Sequence, residues 1–170
     1  MTEVWTNPDV LIHDLPEVEN RKFQRHPVRY RNYRNFNATI FWSVPVLVYI
    51  GFVIFNFGLW SYIVGGILAL FLLLVFFGIN IGFYRRSYAL SEKDLTYKKG
   101  WLFYSTMTIP FNRIQHTEVS QGPLERRYDL STLKVYTAGG STSDMAIPGL
   151  EEEEAKQLRD FISQKAAKYV

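Results

Sequence analysis

The sequence of 170 residues contains no cysteine. This absence excludes disulfide bridges, thiolate metal ligands and thiol nucleophiles. Histidine is scarce, and the three residues His13, His26 and His116 do not form a pair with the spacing of a zinc site. The P-loop, the GxGxxG turn and the GxSxG elbow are absent as well. We therefore expect no enzymatic activity, no catalytic residue, no metal and no cofactor.

Charge is missing from a long internal stretch. Residues 35–84 contain no Asp, Glu, Lys, Arg or His, whereas 21% of the whole chain is charged. One crossing of a bilayer needs about 20 helical residues, and turn-forming residues around Asn56, Gly58 and Ser61 divide this stretch in two. We predict a transmembrane hairpin with helices over about 36–57 and 59–84. Because ion and proton pathways normally need ionisable groups inside the membrane, this composition favours an anchor over a transporter.

Basic residues flank both ends of the predicted hairpin. Arg29, Arg31 and Arg34 precede it, Arg85 and Arg86 follow it, and the short turn between the helices has none. The positive-inside rule predicts a multi-pass protein of the cytoplasmic (inner) membrane with both termini in the cytoplasm. We expect these arginines to contact anionic headgroups of the bilayer. A more specific lipid or partner site in the arm, capped by its acidic first part, is the alternative.

Three unlike segments make up the chain. Residues 1–34 form an arm that is acidic up to Glu19 and basic afterwards, 35–84 form the hairpin, and 85–170 form a polar region large enough for one small domain. In this last region, short segments with β-branched and aromatic residues alternate with turn signals and predict six or seven strands. The chain closes with an amphipathic pattern and an acidic first turn, which predict a helix.

Two details of the strand prediction concern which side chains share a face. Residues 101–111 are interpreted as one strand, with Phe103, Met107 and Ile109 on one face. Simple alternation also places His116 and Glu118 on the same face as Ile114. These two side chains are the one acid/base pair that the sequence suggests, and a solvent-facing strand histidine is the plainer interpretation.

Several motifs of the polar region resemble those of one family. They are Arg86-Ser-Tyr88, Asp94-Leu-Thr-Tyr97, Gly100-Trp101 and, most specifically, QGPLERRYDLSTLKVYTAGG at residues 121–140. This pattern resembles the YdbS-like bacterial pleckstrin-homology (PH) membrane proteins, and the resemblance extends from about residue 20 to the end. It implies a strongly bent sheet of about seven strands with a C-terminal capping helix. The expected fold class is α+β, a two-helix transmembrane hairpin followed by a PH-like sheet or barrel.

The resemblance also implies partners. Relatives often occur with a larger protein that bears several copies of the domain, and in some bacteria the pair is associated with resistance to antimicrobial peptides. We therefore expect a membrane-anchored, non-enzymatic assembly subunit of an envelope complex, forming a homo- or hetero-oligomer with a related protein in the lipid bilayer. A receptor for anionic lipid headgroups is the alternative, and a hydrolase or transport subunit is a weaker one. Nucleic acid is not expected, because the charges of the domain are nearly balanced.

Basic side chains of the predicted domain are candidates for contact with a phosphate or carboxylate group. The candidates for a ligand or lipid headgroup are Arg113, His116, Arg126, Arg127 and Lys134. Salt bridges from Arg126 and Arg127 to Glu125 and Asp129 would give a purely structural role instead. The candidates for close helix packing are the small residues Gly65, Ala69, Gly78 and Gly82.

Overall fold

Two long apolar helices dominate the first half of the chain. The computed structural model describes residues 21–55, 58–138 and 143–168. Helix α1 spans Val28–Phe55 and helix α2 spans Leu59–Tyr84, and both are long and apolar enough to cross a membrane. The bounds of α2 are those predicted. Residues 56 and 57 lie outside the described residues.

Helix α1 begins at Val28 rather than near residue 36, so the predicted start is wrong. The sequence places Pro27 directly before the helix, where proline favours a helix start. The amide of Tyr30 bonds to the carbonyl of Pro27 at 3.0 Å, which closes the first turn. The first turns of α1 are helical although they are polar, because they pack against the domain through Tyr30. Only 4% of the surface of Tyr30 is exposed. The first two turns of α1 therefore lie outside the apolar stretch and are available for packing.

Within the described residues, seven strands form two antiparallel sheets, followed by a closing helix. The first sheet has the order β1 (Gln24–Arg25), β2 (Ser87–Leu90), β3 (Asp94–Lys99) and β4 (Ser105–Pro110). The second has the order β5 (Ile114–Ser120), β6 (Leu130–Thr137) and β7 (Met145–Glu151). A short helix α3 (Pro123–Arg127) joins β5 to β6, and α4 (Glu152–Ala167) ends the fold. The prediction of a two-helix hairpin, a PH-like sheet and a C-terminal helix is thus confirmed.

Strand β1 precedes the apolar helices, although its sheet partners follow them. Gln24 pairs with Tyr88 and Arg25 pairs with Ser87. The domain therefore does not begin at residue 85, and the end of the segment 1–34 is not a separate arm. The helical hairpin is inserted between the first and second strands of one sheet. Two paired residues carry no readable alternation, which explains why β1 was not predicted.

The core of the domain lies between the two sheets and α4. Leu133 and Val135 on β6 are fully buried, whereas Lys134 and Tyr136, which alternate with them, are not, as the alternation predicted. Ile162 of α4 is also fully buried in this cluster. Burying a side chain of this size contributes roughly 1.5–3 kcal/mol. The helix thereby closes the open side of the second sheet.

Two strand predictions are wrong in detail. Residues 101–103 form a bend and not the start of β4, because Gly100 adopts φ +145°, a conformation that side chains rarely tolerate. A register shift between Ile114 and His116 on β5 changes which residues share a face. Ile114 is buried at 6% exposure, while His116 stacks on Tyr136 at the outer surface with a centroid distance of 4.2 Å.

Candidate functional site

The arm, the helical hairpin and the sheets meet in one buried cluster, which we call the junction. It comprises His26, Tyr30, Arg34, Phe83, Arg86, Tyr88, Tyr97 and Gly149. These residues come from the segment before α1, from α1 itself, from the end of α2 and from three strands. The junction therefore connects the segment before α1, the two long helices and both sheets. It replaces the flexible linker that a tethered domain would otherwise need.

Tyr30 is the central side chain of the junction. Its hydroxyl accepts a hydrogen bond of 2.8 Å from Nη1 of Arg86, the second residue after α2. Its ring lies against Gly149 of β7, where a Cβ atom would collide with the ring. Gly149 also has φ +76°, a left-handed conformation. Both features require glycine at this position, because the backbone must approach Tyr30 closely.

His26 is buried in the junction with 5% of its surface exposed. Its ring centroid lies 5.2 Å from that of Tyr30, 5.9 Å from Tyr88 and 6.0 Å from Tyr97. Burial lowers the pKa of His26 to about 4; the Gly149 backbone opposes this shift, and the Arg86 and Arg34 guanidinium groups add to it. The imidazole is therefore neutral at neutral pH, and it serves as an aromatic packing element.

A second set of contacts holds the arm on the domain. The guanidinium of Arg21 binds the Asp94 carboxylate of β3 with two hydrogen bonds, of 3.0 and 3.1 Å, and Thr96 with a third of 2.6 Å. Such a bidentate pair has more geometric specificity than a simple surface ion pair. Tyr88 of β2 donates a hydrogen bond to Glu154 of α4, and burial raises the pKa of this tyrosine. The arm and α4 are thus fixed to the same sheet.

The basic residues expected at the membrane surface have defined protein contacts. Arg31 donates to the Tyr84 hydroxyl at 3.1 Å and so joins α1 to α2, and Arg29 pairs with Asp129 at 3.5 Å. Arg34 donates to the carbonyl of Ile79 at 3.4 Å, and Arg85 donates to that of Trp101 at 3.1 Å. Arg86 is bound to Tyr30, so each of the five arginines has a contact with another residue of the protein. Headgroup contact by these residues remains a prediction.

The five candidates for ligand contact fall into two separate places. Arg126 and Arg127 are exposed on α3. The next residue, Tyr128, packs on Tyr33 and Phe36 of α1 at centroid distances of 5.9 and 6.0 Å. Arg126 and Arg127 therefore lie beside the hairpin.

Arg113, His116 and Lys134 lie toward the other end of β5 and β6. From Leu130, which packs with Tyr30 and Phe83 in the junction, β6 extends to Tyr136 over roughly 20 Å at the usual rise per residue. Lys134 is bound to Glu118 at 3.2 Å, and Tyr136 donates to the same carboxylate at 2.9 Å. These two hydrogen bonds hold the pKa of Glu118 below its usual range. The five residues do not form one site.

The carboxylates expected to neutralise Arg126 and Arg127 have other roles. Glu125 accepts hydrogen bonds from the Gly122 amide and from the Thr132 hydroxyl, both at 2.8 Å, and so fixes the start of α3. Asp129 pairs with Arg29 instead. Among the described residues, no group of three or more His, Cys, Asp or Glu could hold a metal ion.

The small residues of the hairpin have different neighbours. A Cβ atom at Gly65 would collide with the Tyr49 hydroxyl group of α1, so α1 and α2 are in close contact there. Gly78 and Gly82 instead face Trp101 of the β3–β4 loop. Ala69 is exposed on α2. Among these four positions, Gly65 and Gly82 have a side chain of α1 as a neighbour: Tyr49 at Gly65, and Arg34 at Gly82, where a Cβ atom would lie 3.7 Å from Nη1.

A shallow groove lies between β5 and α4, far from the junction. It is about 550 Å³ in volume and is lined by Ile114, Gln115, His116, Thr117, Ser163, Ala166 and Ala167. This lining contains no Asp, Glu, Lys or Arg. Thr117 and Ser163 connect the strand to the helix by a hydrogen bond of 3.1 Å between their hydroxyl groups. In the described part of the chain, β5 is the end strand of its sheet.

Comparisons with known proteins agree with this architecture. Residues 40–166 match the model of the bacterial PH domain family. The chain belongs to this family. It is 40% identical over 79 residues to the UPF0699 transmembrane protein YdbS of Bacillus subtilis, a match that covers 46% of this chain and 48% of that protein. The chain thus spans about half the length of this curated relative.

A solved structure with a related description is also similar in part. It is a DUF1696 family protein with a pleckstrin-homology domain from Shewanella loihica, with 16% sequence identity and a TM-score of 0.37. The match covers 48% of this chain and 72% of that chain. Family membership and the two apolar helices identify the chain as a membrane-associated protein with a bacterial PH domain.

The sequence did not identify the junction as a site. His26 and Arg21 stand in a basic stretch whose charges fit the positive-inside rule, so their structural contacts were hidden. A helical signal is present, because Tyr30, Tyr33 and Arg34 recur at spacings of three and four residues. With this signal, the predicted start of α1 would have moved toward Val28. Trp101 gave no comparable signal.

Proposed function

We propose that this protein is a non-enzymatic assembly subunit of a membrane complex, with a PH domain fixed on a two-helix anchor. The helical hairpin crosses the inner membrane twice, and both ends of the chain are cytoplasmic. The insertion of this hairpin between β1 and β2 carries the proposal. A domain held at both ends of the anchor keeps one orientation relative to the bilayer, which suits a scaffold more than a tethered catalyst.

The groove between β5 and α4 is the proposed contact surface for a partner. An end strand presents unpaired backbone groups that can accept an added strand. The lining contains no Asp, Glu, Lys or Arg, which fits an extended segment without charged side chains. The groove lies at the far end of β5 and β6 from the junction, so it faces the cytoplasm in this orientation. We propose that its occupant belongs to a second PH-domain membrane protein, either a related chain or another copy.

Site-specific cross-linking in native membranes tests this function. A photoreactive residue at Gln115, in the groove, is expected to form an adduct with a second PH-domain membrane protein, identified by mass spectrometry. Ser163→Trp fills the groove and should abolish the adduct. Gln157→Trp is the matched control, since Gln157 is exposed on the same helix outside the groove lining. A strictly monomeric chain, or an adduct unaffected by Ser163→Trp, would contradict the proposal.

Binding of anionic headgroups is a second candidate function. It is supported by the position of Arg126 and Arg127, which are exposed beside α1 while Glu125 and Asp129 bind other groups. The double variant Arg126→Gln/Arg127→Gln should reduce the preference of the full chain for anionic over neutral lipid in nanodiscs. Arg159→Gln on α4 is the control. An unchanged lipid preference would reject this second function while leaving the assembly role intact. Resistance to antimicrobial peptides, implied by the resemblance, would be a consequence of the assembly.

A further inference from the structure

The loop between β3 and β4 exposes large apolar side chains. Leu102, Phe103 and Tyr104 have 73%, 85% and 60% of their surfaces exposed. The turn depends on Gly100, where a Cβ atom would lie 2.7 Å from the Cα atom of Tyr104. Contiguous exposed side chains of this kind usually mark a contact surface.

The contact between Trp101 and α2 shows where this loop lies along the length of the helix. A Cβ atom at Gly78 of α2 would lie 3.0 Å from the Trp101 ring, so the indole is in contact with that turn of the helix. Gly78 precedes Tyr84, the last residue of α2, by six positions, which corresponds to roughly 9 Å along the axis. Trp101 therefore lies alongside the apolar part of α2, on the membrane side of the end of that helix.

Charged groups lie at the edge of this loop and not within it. Lys99 is exposed at the end of β3, directly before Gly100. Arg85, which follows the last residue of α2, donates a hydrogen bond to the Trp101 carbonyl at 3.1 Å. Residues 101–104 contain no charge. Basic residues at the edge and aromatic residues beyond them are the order found where a protein enters the headgroup zone.

We propose that residues 101–104 insert into one leaflet of the bilayer. It is the leaflet on the side where α1 begins and α2 ends. The occupant of this surface is lipid, because the loop lies against a helix that is itself apolar enough to span the membrane. Leu102 and Phe103 enter the upper acyl-chain region, while Trp101 and Tyr104 lie at the headgroup boundary. The loop is a third membrane contact beside the two helices, and it fixes how the domain is turned about the hairpin.

The absence of cysteine permits a direct test of depth. Phe103→Cys in the full chain provides a single thiol for a fluorescent label, and the labelled protein is reconstituted in nanodiscs. Glu92→Cys is the matched control, since Glu92 is exposed in the turn at the opposite end of β3. We expect iodide in the water to quench the label at position 103 about fivefold less than at position 92, as for a loop in the interface. Lipid with a nitroxide near the top of its acyl chain should quench position 103 alone.

Two outcomes would overturn the inference. Equal quenching by iodide at positions 103 and 92 would place the loop in water. Protection of position 103 from both quenchers would mean that a protein, not lipid, covers it. Leu102→Cys provides a second labelled site with the same expectation, which keeps the test decisive if the Phe103 variant does not fold. None of these results depends on the assembly role of the β5–α4 groove.

Discussion

Arg86 and Tyr30 are joined by a hydrogen bond of 2.8 Å although they are 56 positions apart in the chain. One residue lies just after α2 and the other lies in the first turn of α1. The bond therefore connects the beginning of one apolar helix to the end of the next. It is part of the junction, through which the PH domain packs against the anchor.

Gly149→Ala should strongly destabilise this unit. The added methyl group would collide with the Tyr30 ring, and the backbone of Gly149 has φ +76°. We expect a loss of at least about 2 kcal/mol in the free energy of unfolding. Urea titration of the full chain in nanodiscs, with the fraction folded as readout, measures it. Gly66→Ala is the control, since Gly66 has open space around it, and an equal loss in both variants would contradict the packing described.

Acidification should weaken the junction through His26. Its pKa is lowered to about 4 in the folded protein, from the ordinary value of 6.5. The stabilising preference for neutral imidazole is therefore complete above pH 6.5 and is lost as the pH falls toward 4. The loss is about 3 kcal/mol at 1.4 kcal/mol per pH unit.

The pH experiment compares the full chain with two variants. His26→Gln should have a shallower decline in unfolding free energy between pH 6.5 and 4 than the unchanged protein. Gln24→Ala, at an exposed position of β1 that carries no titratable group, should keep the original slope. Acidic groups such as Glu118 are the same in the protein and in its His26 variant, so the difference between these two curves isolates His26. Identical slopes for the protein and its His26 variant would refute the role assigned to this residue.

Arg21→Ala should release the arm from β3. The variant loses the bidentate bond to Asp94 and the bond to Thr96. We expect amide hydrogen exchange over residues 24–26 to accelerate by roughly tenfold, corresponding to about 1.4 kcal/mol. Exchange in α4 should not change. Lys22→Ala, at an exposed neighbouring position, is expected to leave both regions as they are, and the same acceleration in that variant would exclude a specific role for Arg21.

Gly78→Leu should displace Trp101 from α2. The position of Cβ at Gly78 is already within 3.0 Å of the indole ring, so a larger side chain has no space. We expect a shift in the emission of Trp101, measured in a full chain whose other tryptophans are replaced by phenylalanine. Gly66→Leu on the same helix should not change the emission. An unchanged emission in the Gly78 variant would contradict the contact.

Composition and periodicity predict the parts of this fold that repeat over many residues. The ends of α2, the acidic first turn of α4 and the alternation of Leu133 and Val135 all follow from such patterns. Features made by one or two residues did not follow. Strand β1 has two residues, and the register shift at Ile114 and His116 reverses one face locally. Neither leaves a period to detect.

The candidate site was less predictable than the fold. The sequence predicted basic residues as a class, but the contacts of these residues depend on long-range geometry. Arg86 binds Tyr30 and Arg21 binds Asp94, each across the inserted hairpin. A local reading of charge cannot distinguish a guanidinium that binds a tyrosine from one that faces headgroups. That distinction arises because the chain returns at β2 to the sheet of β1 after two long helices.

A disulfide between Arg25→Cys and Ser87→Cys tests most directly whether the hairpin is inserted in the PH domain. These positions are paired across β1 and β2, where Cβ atoms are about 5 Å apart. In a chain without other cysteines, mild oxidation in the membrane should close this bond within one molecule and remove both thiols from maleimide labelling. The pair Lys22→Cys and Ser87→Cys is the out-of-register control. We expect rapid disulfide closure for the pair Arg25→Cys and Ser87→Cys alone. Free thiols at both positions after oxidation would contradict the insertion of the hairpin between β1 and β2.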